Sequence, residues 1–350
     1  MSEPRILAVG TALPPYKVSQ DAVRHLIGAI FKNTSRDLER LLNVFDNGHV
    51  KTRYLSAPLE WYYELRSWSE RNQIYIEQAR EMSERAAKTA LEKSGIGAEQ
   101  INAILFVSST GLATPSLDSW LIKRLGISRH AMRLPIWGLG CAGGAAGLNR
   151  ASEYIRAYPN SSVLLVAVEC SSLTFQANDP SRANLISTSL FADGAAAVVL
   201  SGQDHGVEIL GGSSTLWDDT EEVMGWEIVN TGLKVLLSKS VPLVVEKHIR
   251  SDVTRCFEQF NLELEQVQHF ITHPGGEKVM QAFIEALGLE NKKLEDSRRI
   301  LENHGNMSSP TVLFILEAFM QRLGEIPKGE HALLTAMGPG FSAEHVVLKT

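Results

Sequence analysis

Apolar residues recur in this chain as short, nearly continuous runs separated by longer stretches with helical spacing. Ile101–Val107 (INAILFV), residues 133–137 (RLPIW) and residues 162–168 (SVLLVAV) are apolar on both faces and too short for helices, so they read as buried strands. A helix over about 143–158 separates the last two. Residues 268–272 (QHFIT) form another short strand, followed by HPGG and a helix over Glu277–Leu287. Ser309 and Pro310 read as an N-cap followed by proline at the first helical position, opening an amphipathic helix over 310–323. Strands alternating with helices give an α/β class with largely parallel pairing.

The pattern also repeats. Glu99-Gln100-Ile101 and Glu265-Gln266-Val267 each open a strand after a long amphipathic helix, an offset of 166 between residues 100 and 266. Cys141 and Asn306 each precede a helix, 165 apart. VVL recurs at 198 and 346, where the offset shrinks to 148, which places an insertion near 170–190 of the first copy. We therefore expect two duplicated halves, residues 1–205 and 206–350.

Composition narrows the class further. Among 350 residues, 44% are hydrophobic and 21% charged, with Lys+Arg 34 against Asp+Glu 40 and a net charge of −6. That balance argues against nucleic-acid binding, which rests on clustered cations. No apolar run reaches the roughly 18–20 residues of a membrane span, and the N-terminus lacks a signal-peptide pattern. Cys141, Cys170 and Cys256 are too few for a disulfide framework, and the expected setting is the reducing cytoplasm. No metal-ligand cluster stands out. His269 and His273 lack a third ligand nearby.

Residues 138–144 (GLGCAGG) lie between a strand and a helix and admit three chemistries. Gly138, Gly140 and Gly143 satisfy the dinucleotide pattern GxGxxG, but Glu169 lies 26 residues beyond Gly143 rather than about 20, and a cysteine occupies the turn. A nucleophile elbow, G-x-C-x-G, fails at Leu139. The third is a cysteine nucleophile for acyl transfer, its thiol acidified by the positive end of the helix that follows. Most free cysteines are simply small buried hydrophobes, and Cys170 and Cys256 are read that way. His273, ending a strand and pinned by the HPGG turn, points toward the crevice where α/β proteins bind ligands. Asn306, just before a helix start, can donate to an oxyanion, although asparagine is also a common turn residue. The duplication sets Asn306 opposite Cys141 about a pseudo-twofold axis.

Cysteine in a glycine-rich turn, then HPGG (273–276), HGNMSS (304–309) and GPGF (338–341) is a specific ordered set. With TGLATPSLD (110–118), WGLGCAGG (137–144) and SLFADGAAA (189–197), it resembles the chalcone/stilbene synthase family, the type III polyketide synthases, over nearly the whole chain. RNQIYIE (71–77) and MGWE (224–227) are most similar to the bacillus-type group that makes long-chain alkylpyrones. The resemblance implies a thiolase-like fold of two βαβ-rich halves in αβαβα layers, a homodimer, acyl-CoA and malonyl-CoA as substrates, and no metal or redox cofactor.

It also implies site residues. Cys141 is the acyl-carrying nucleophile, and His273 and Asn306 form the oxyanion site, with His273 holding Cys141 as thiolate. Phe191 is a gatekeeper between CoA tunnel and cavity. Thr114, Thr174, Trp226, Val235 and Ser308 line the substrate cavity. Gly338, Pro339, Gly340 and Phe341 form the loop that shapes it. Lys51 and Arg53 lie near the CoA phosphates. Val235 and Thr114 are smaller than their plant counterparts, leaving room for a bulkier acyl chain, while Trp226 replaces a cavity glycine and limits extension. The alternatives are a ketoacyl synthase that initiates fatty-acid synthesis, whose histidine motif resembles HQAN rather than HPGG, and more remotely the dinucleotide-binding oxidoreductase.

Overall fold

A computed structural model describes residues 3–33, 38–203 and 205–350. In the first half, β1 (Arg5–Ala12) leads to the small β2 (Tyr16–Ser19), α1 (Gln20–Ile30), α2 (Leu38–Asp46) and β3 (Thr52–Leu55), which pairs with β2. Next come α3 (Trp68–Ser94), β4 (Ile101–Val107), α4 (Asp118–Leu125), β5 (Met132–Ile136), α5 (Gly143–Ala157), β6 (Ser162–Cys170), α6 (Arg182–Leu190) and β7 (Asp193–Ser201). The second half holds β8 (Val207–Leu216), the hairpin β9 (Met224–Val229) and β10 (Gly232–Leu237), α7 (Val241–Glu258), β11 (Val267–Thr272), α8 (Glu277–Leu287), α9 (Glu295–His304), α10 (Ser309–Gln321), β12 (His331–Gly338) and β13 (Ser342–Lys349).

Nine strands form one sheet in the order β11-β12-β13-β8-β1-β7-β6-β4-β5. The order is a repeat about its middle. β4 and β6 are parallel, and β6, β7 and β1 follow antiparallel; β11 and β12 are parallel, and β12, β13 and β8 follow antiparallel. The copies join at a two-pair antiparallel ladder, Arg5↔Glu208 and Ile6↔Val207. Between β6 and β7 the chain inserts α6, whereas between β12 and β13 it inserts only residues 339–341. The shrinking sequence offset has that cause.

The helices make the layers. α3 covers β1, β6 and β7, α7 covers β8 and β13, and α5 and α10 each touch both half-sheets, so they form the central layer. Strand alternation assigns side chains accordingly. Ile104 and Phe106 face α3, while Ala103, Leu105 and Val107 face the central helices; Leu333 and Val347 face the α7 side, while Leu334 and Val346 face inward. A strand buried on both faces must read as a continuous apolar run, which is how the sequence announces it. Each such side chain contributes about 1.5–3 kcal/mol on burial.

Three helix boundaries differ from the sequence reading. α5 ends at Ala157, and α10 spans Ser309–Gln321 rather than 310–323. Ser308 precedes that helix with φ +59° and caps no N–H. Pro310 in the first turn needs no hydrogen-bond acceptor for its nitrogen.

Candidate active site

Cys141 lies in a single 3₁₀ turn, Gly140–Ala142, that runs directly into α5, and only 7% of it is exposed. The turn is packed against the other half of the chain. A Cβ on Gly144 would sit 2.4 Å from the carbonyl oxygen of Ser309, so the starts of α5 and α10 touch where both glycine and helix N-terminus are required. A Cβ on Gly338, at the end of β12, would sit 2.3 Å from Leu139 O. The two helix starts thus meet at one place, as the duplication predicts.

Asn306 is fixed by its backbone. Its N–H donates to Leu190 O at 2.8 Å and its carbonyl accepts from Ala192 N at 2.9 Å, a parallel bridge to Phe191. Its side-chain oxygen accepts the Ser308 N–H at 2.8 Å, which leaves the amide NH₂ as the outward group. The Ser308 and Asn306 side chains both act on the Cys141 thiol, favouring its thiolate form. Ser308 holds φ +59°, a left-handed backbone that serine adopts at a cost of order 1 kcal/mol and keeps where surroundings enforce it. His273 follows β11 at the same end of the sheet. Its N–H bonds Thr335 O at 2.9 Å, three residues before Gly338. The ring is 2% exposed, and neither ring nitrogen has a protein partner.

Electrostatics corrects one expectation. Burial outweighs the acidifying backbone at the helix start, so the thiol is raised on balance. Burial pushes Cys141 up to about 11, against relief from Ser308 and Asn306, with the Glu169 carboxylate adding to the rise. A macrodipole contributes at most about 2 kcal/mol, and desolvating a lone charge costs more. Burial likewise pushes His273 down to about 3. Burial therefore favours the neutral form of both groups.

Glu169 lies too far beyond Gly143 to fit the dinucleotide pattern, and its surroundings exclude that role as well. It is fully buried and accepts from Ser109 N (2.9 Å), Thr110 Oγ1 (2.7 Å) and Ser309 Oγ (2.9 Å). Ser109 Oγ in turn accepts the Gly140 N–H at 3.3 Å. Glu169 thus ties β4, the cysteine turn and the start of α10 together, and burial raises its carboxyl to about 7. It is unavailable to a nucleotide, so the dinucleotide reading fails. The signal available in sequence was a charged residue ending an apolar strand.

The other expected residues divide. Phe191, Thr174 and Ser171 line a cavity running past Tyr62 and Phe175 to Val23, Leu26 and Ile27 on α1. Trp226 pairs with Val235 across the β9–β10 hairpin, and its ring meets Phe191 edge-on at 6.4 Å between centroids. Pro339 packs on Gly140, while Phe341 is buried against Trp217 and anchored to Thr220. Gly340 lies beyond them, its carbonyl accepting from Thr220 Oγ1 at 3.1 Å. Thr114 is exposed in the loop after β4, outside that cavity. Lys51 is exposed and ion-paired with Glu302. Arg53 is 1% exposed and spends its guanidinium on protein acceptors, so it is corrected from a CoA-phosphate contact to an internal residue.

A duplicated α/β sandwich whose two central helices begin beside a buried cysteine and a buried asparagine, with a buried histidine ending a strand of the same sheet, defines a thiolase-like acyltransferase class. Sequence profiles of the chalcone and stilbene synthases match over residues 2–204 for their N-terminal domain and 208–350 for their C-terminal domain. A chalcone synthase candidate of Bacillus subtilis (strain 168) is 42% identical, with 97% of this chain and 96% of that protein covered. The 1,3,6,8-tetrahydroxynaphthalene synthase of Streptomyces peucetius subsp. caesius is 37% identical over 98% of this chain and 92% of its own length. The crystal structure of the corresponding synthase from Streptomyces coelicolor A3(2), a bacterial type III polyketide synthase, superposes with a TM-score of 0.94 at 29% identity, covering 99% of both chains. This chain belongs to the chalcone and stilbene synthase family, the type III polyketide synthases. No helix among the described residues is long and apolar enough to cross a membrane.

Proposed function

We propose that the protein condenses malonyl-CoA, by repeated decarboxylation, onto a long-chain acyl starter held on Cys141, and releases alkylpyrones, with alkylresorcinols as the other ring outcome. The observation that carries this is that Asn306 and Ser308, at the start of α10, act on the Cys141 thiol at the start of α5.

Cys141 attacks the acyl-CoA carbonyl, a bond from the acyl carbon to Sγ of Cys141 forms as the bond from that carbon to the CoA sulfur breaks, and the thiol proton passes to the departing CoA sulfur through His273. Burial opposes a lone charge on either group, so proton transfer accompanies attack. Malonyl-CoA then loses carbon dioxide. The electron pair of the broken bond becomes a thioester enolate, whose oxygen the Asn306 amide and the His273 ring stabilise. The enolate carbon attacks the acyl thioester and expels the Cys141 thiolate, giving a 3-ketoacyl-CoA that returns to Cys141. Each cycle balances without a metal or redox cofactor.

The cavity from Phe191 to α1 supports an aliphatic starter. Val23, Leu26, Ile27, Leu55, Leu59 and Phe175 form its apolar part, beside Arg53 and several hydroxyl side chains, so an alkyl tail gains burial against that part. Trp226 beside Phe191 narrows the side toward the hairpin and supports few extensions. The same reading divides the chain into halves 1–205 and 206–350 and makes the protein a cytoplasmic homodimer. Incubation with malonyl-CoA and acyl-CoAs of graded length, followed by product masses, tests it. Long chains give the highest rate and two or three added acetate units. Preference for aromatic starters, or product from malonyl-CoA alone, overturns the long-chain reading. Intact-protein mass shows acylation lost in Cys141→Ala and kept in Cys170→Ala; acylation persisting without Cys141 overturns the mechanism.

A further inference from the structure

Arg53 is an odd residue to find in a core. It is fully buried, yet no carboxylate among the described residues hydrogen-bonds it. Its Nη1 donates to Thr188 O at 2.6 Å and Phe191 O at 2.8 Å, and its Nη2 donates to Ser189 O at 2.6 Å and to the Gln20 side-chain oxygen. Gln20 completes the set by donating to Ser189 O at 3.0 Å. Asp193 is the nearby charge that eases the burial. A buried cation with neutral partners is expensive, so its retention asks for a reason.

The acceptors supply one. Thr188, Ser189 and Phe191 lie at and just beyond the C-terminus of α6, where carbonyls lack helical partners and a cation is favoured. The same strap is gripped from its other side by Asn306, through Leu190 O and Ala192 N. Arg53 thus holds residues 188, 189 and 191 while Asn306 holds 190 and 192. The two grips also touch: a Cβ on Gly305 would lie 3.4 Å from the Arg53 Cβ, 2.9 Å from the Ala192 Cβ and 3.0 Å from Leu190 O. A lysine keeps the charge but has one nitrogen, and cannot span three carbonyls in a fork.

We infer that Arg53 is a positioning residue that sets Phe191 and Asn306 in one fixed relation, so that the aromatic gate and the oxyanion amide are held by a single clamp. The inference rests on the role proposed for Asn306. It predicts that Arg53→Lys loosens the strap without emptying the core, and that its chemical effect runs through the Asn306 amide.

The experiment is a cycle of Arg53→Lys, Asn306→Ala and the double variant, read by malonyl-CoA decarboxylation and by hydrogen exchange with mass spectrometry. Arg53→Lys should lower the decarboxylation kcat by about 10- to 100-fold, as displacement of a catalytic group by a fraction of an ångström to an ångström does, with KM changed less than about 2-fold. In the Asn306→Ala background the same change should cost less than about 2-fold. Exchange should rise in peptides covering 187–192 and 305–308 and stay at the wild-type level in α3 and α7. Additive losses, or exchange rising throughout the chain, overturn the inference. If Arg53→Lys does not fold, Gln20→Leu leaves the guanidinium one acceptor short and should show the same local exchange with a smaller loss of kcat; unchanged exchange in that variant also overturns it. A wild type that fails to decarboxylate malonyl-CoA refutes the proposed function, while the exchange arm still decides the clamp.

Discussion

Replacing Glu169 with glutamine removes a charge and leaves a shape. The side chain is fully buried and its oxygens accept from one N–H and from the hydroxyls of Thr110 and Ser309. In Glu169→Gln the remaining carbonyl keeps Ser109 N–H and Thr110, while Ser309 turns its hydroxyl to accept from the new NH₂. Packing is preserved, so the difference between the proteins is the titration. Burial raises the folded carboxyl from 4.5 to about 7. The folded state then binds the proton more tightly than the unfolded chain, so this group's stabilisation is full below 4.5 and is lost as pH rises through about 7. At roughly 1.4 kcal/mol per unit, that loss is about 3 kcal/mol. The glutamine variant has no such loss. Urea unfolding at pH 5 to 8 should show its stability gaining on the wild type by up to about 3 kcal/mol across that window. The thiol answers independently. The Glu169 carboxylate raises the Cys141 thiol, so removing the charge should move the pH profile of Cys141 alkylation to lower pH. A stability difference that stays flat from pH 5 to 8, with alkylation profiles that coincide, would refute the reasoning.

Three further outcomes follow from other residues. Asn306→Ala should slow malonyl-CoA decarboxylation by roughly 100–1000-fold, the usual worth of an oxyanion donor, measured as carbon dioxide release with acylation of Cys141 followed alongside; full decarboxylation would remove Asn306 from that role. His345 is buried, bonded to Thr335 at 2.9 Å and held down to about 4, so the unfolded chain takes up its proton first as pH falls below 6.5. Its contribution is complete above that and lost by about pH 4, amounting to about 3 kcal/mol, so the stability gap between wild type and His345→Gln should shrink on acidification, and a constant gap would contradict the assignment. Gly338→Ala drives a methyl to 2.7 Å from the Ala142 Cβ and closer still to Leu139 O, an overpacking worth about 1–3 kcal/mol. Thermal unfolding should show that loss and intact mass should show slower acylation of Cys141; a neutral variant would mean the turn can yield.

Much of this molecule was readable because its strands are buried on both faces. The runs at 101–107 and 162–168 needed no alternation to declare themselves, and the repeat offset of 165 put Cys141 and Asn306 at equivalent helix starts before any contact was known. What was not legible has a common physical cause. A sequence shows the kind of charge a residue carries and says nothing of what surrounds it. Glu169 entered only as a misplaced member of a dinucleotide pattern and Arg53 only through the family resemblance, near the CoA phosphates, because acids and bases mostly belong on surfaces. In the fold, each is enclosed by acceptors or donors that come from distant segments: Ser109 and Ser309 for the acid, 188–191 for the base. The thiol was misjudged the same way. Its helix start is local and visible, whereas the burial that outweighs the dipole arrives with α10, β12 and the loop at 338–341. Where a charged group falls at the end of an apolar strand, the enclosed reading is therefore the one to test first, and in this site Glu169 and Arg53 act on the strands and straps that place Cys141 and Asn306.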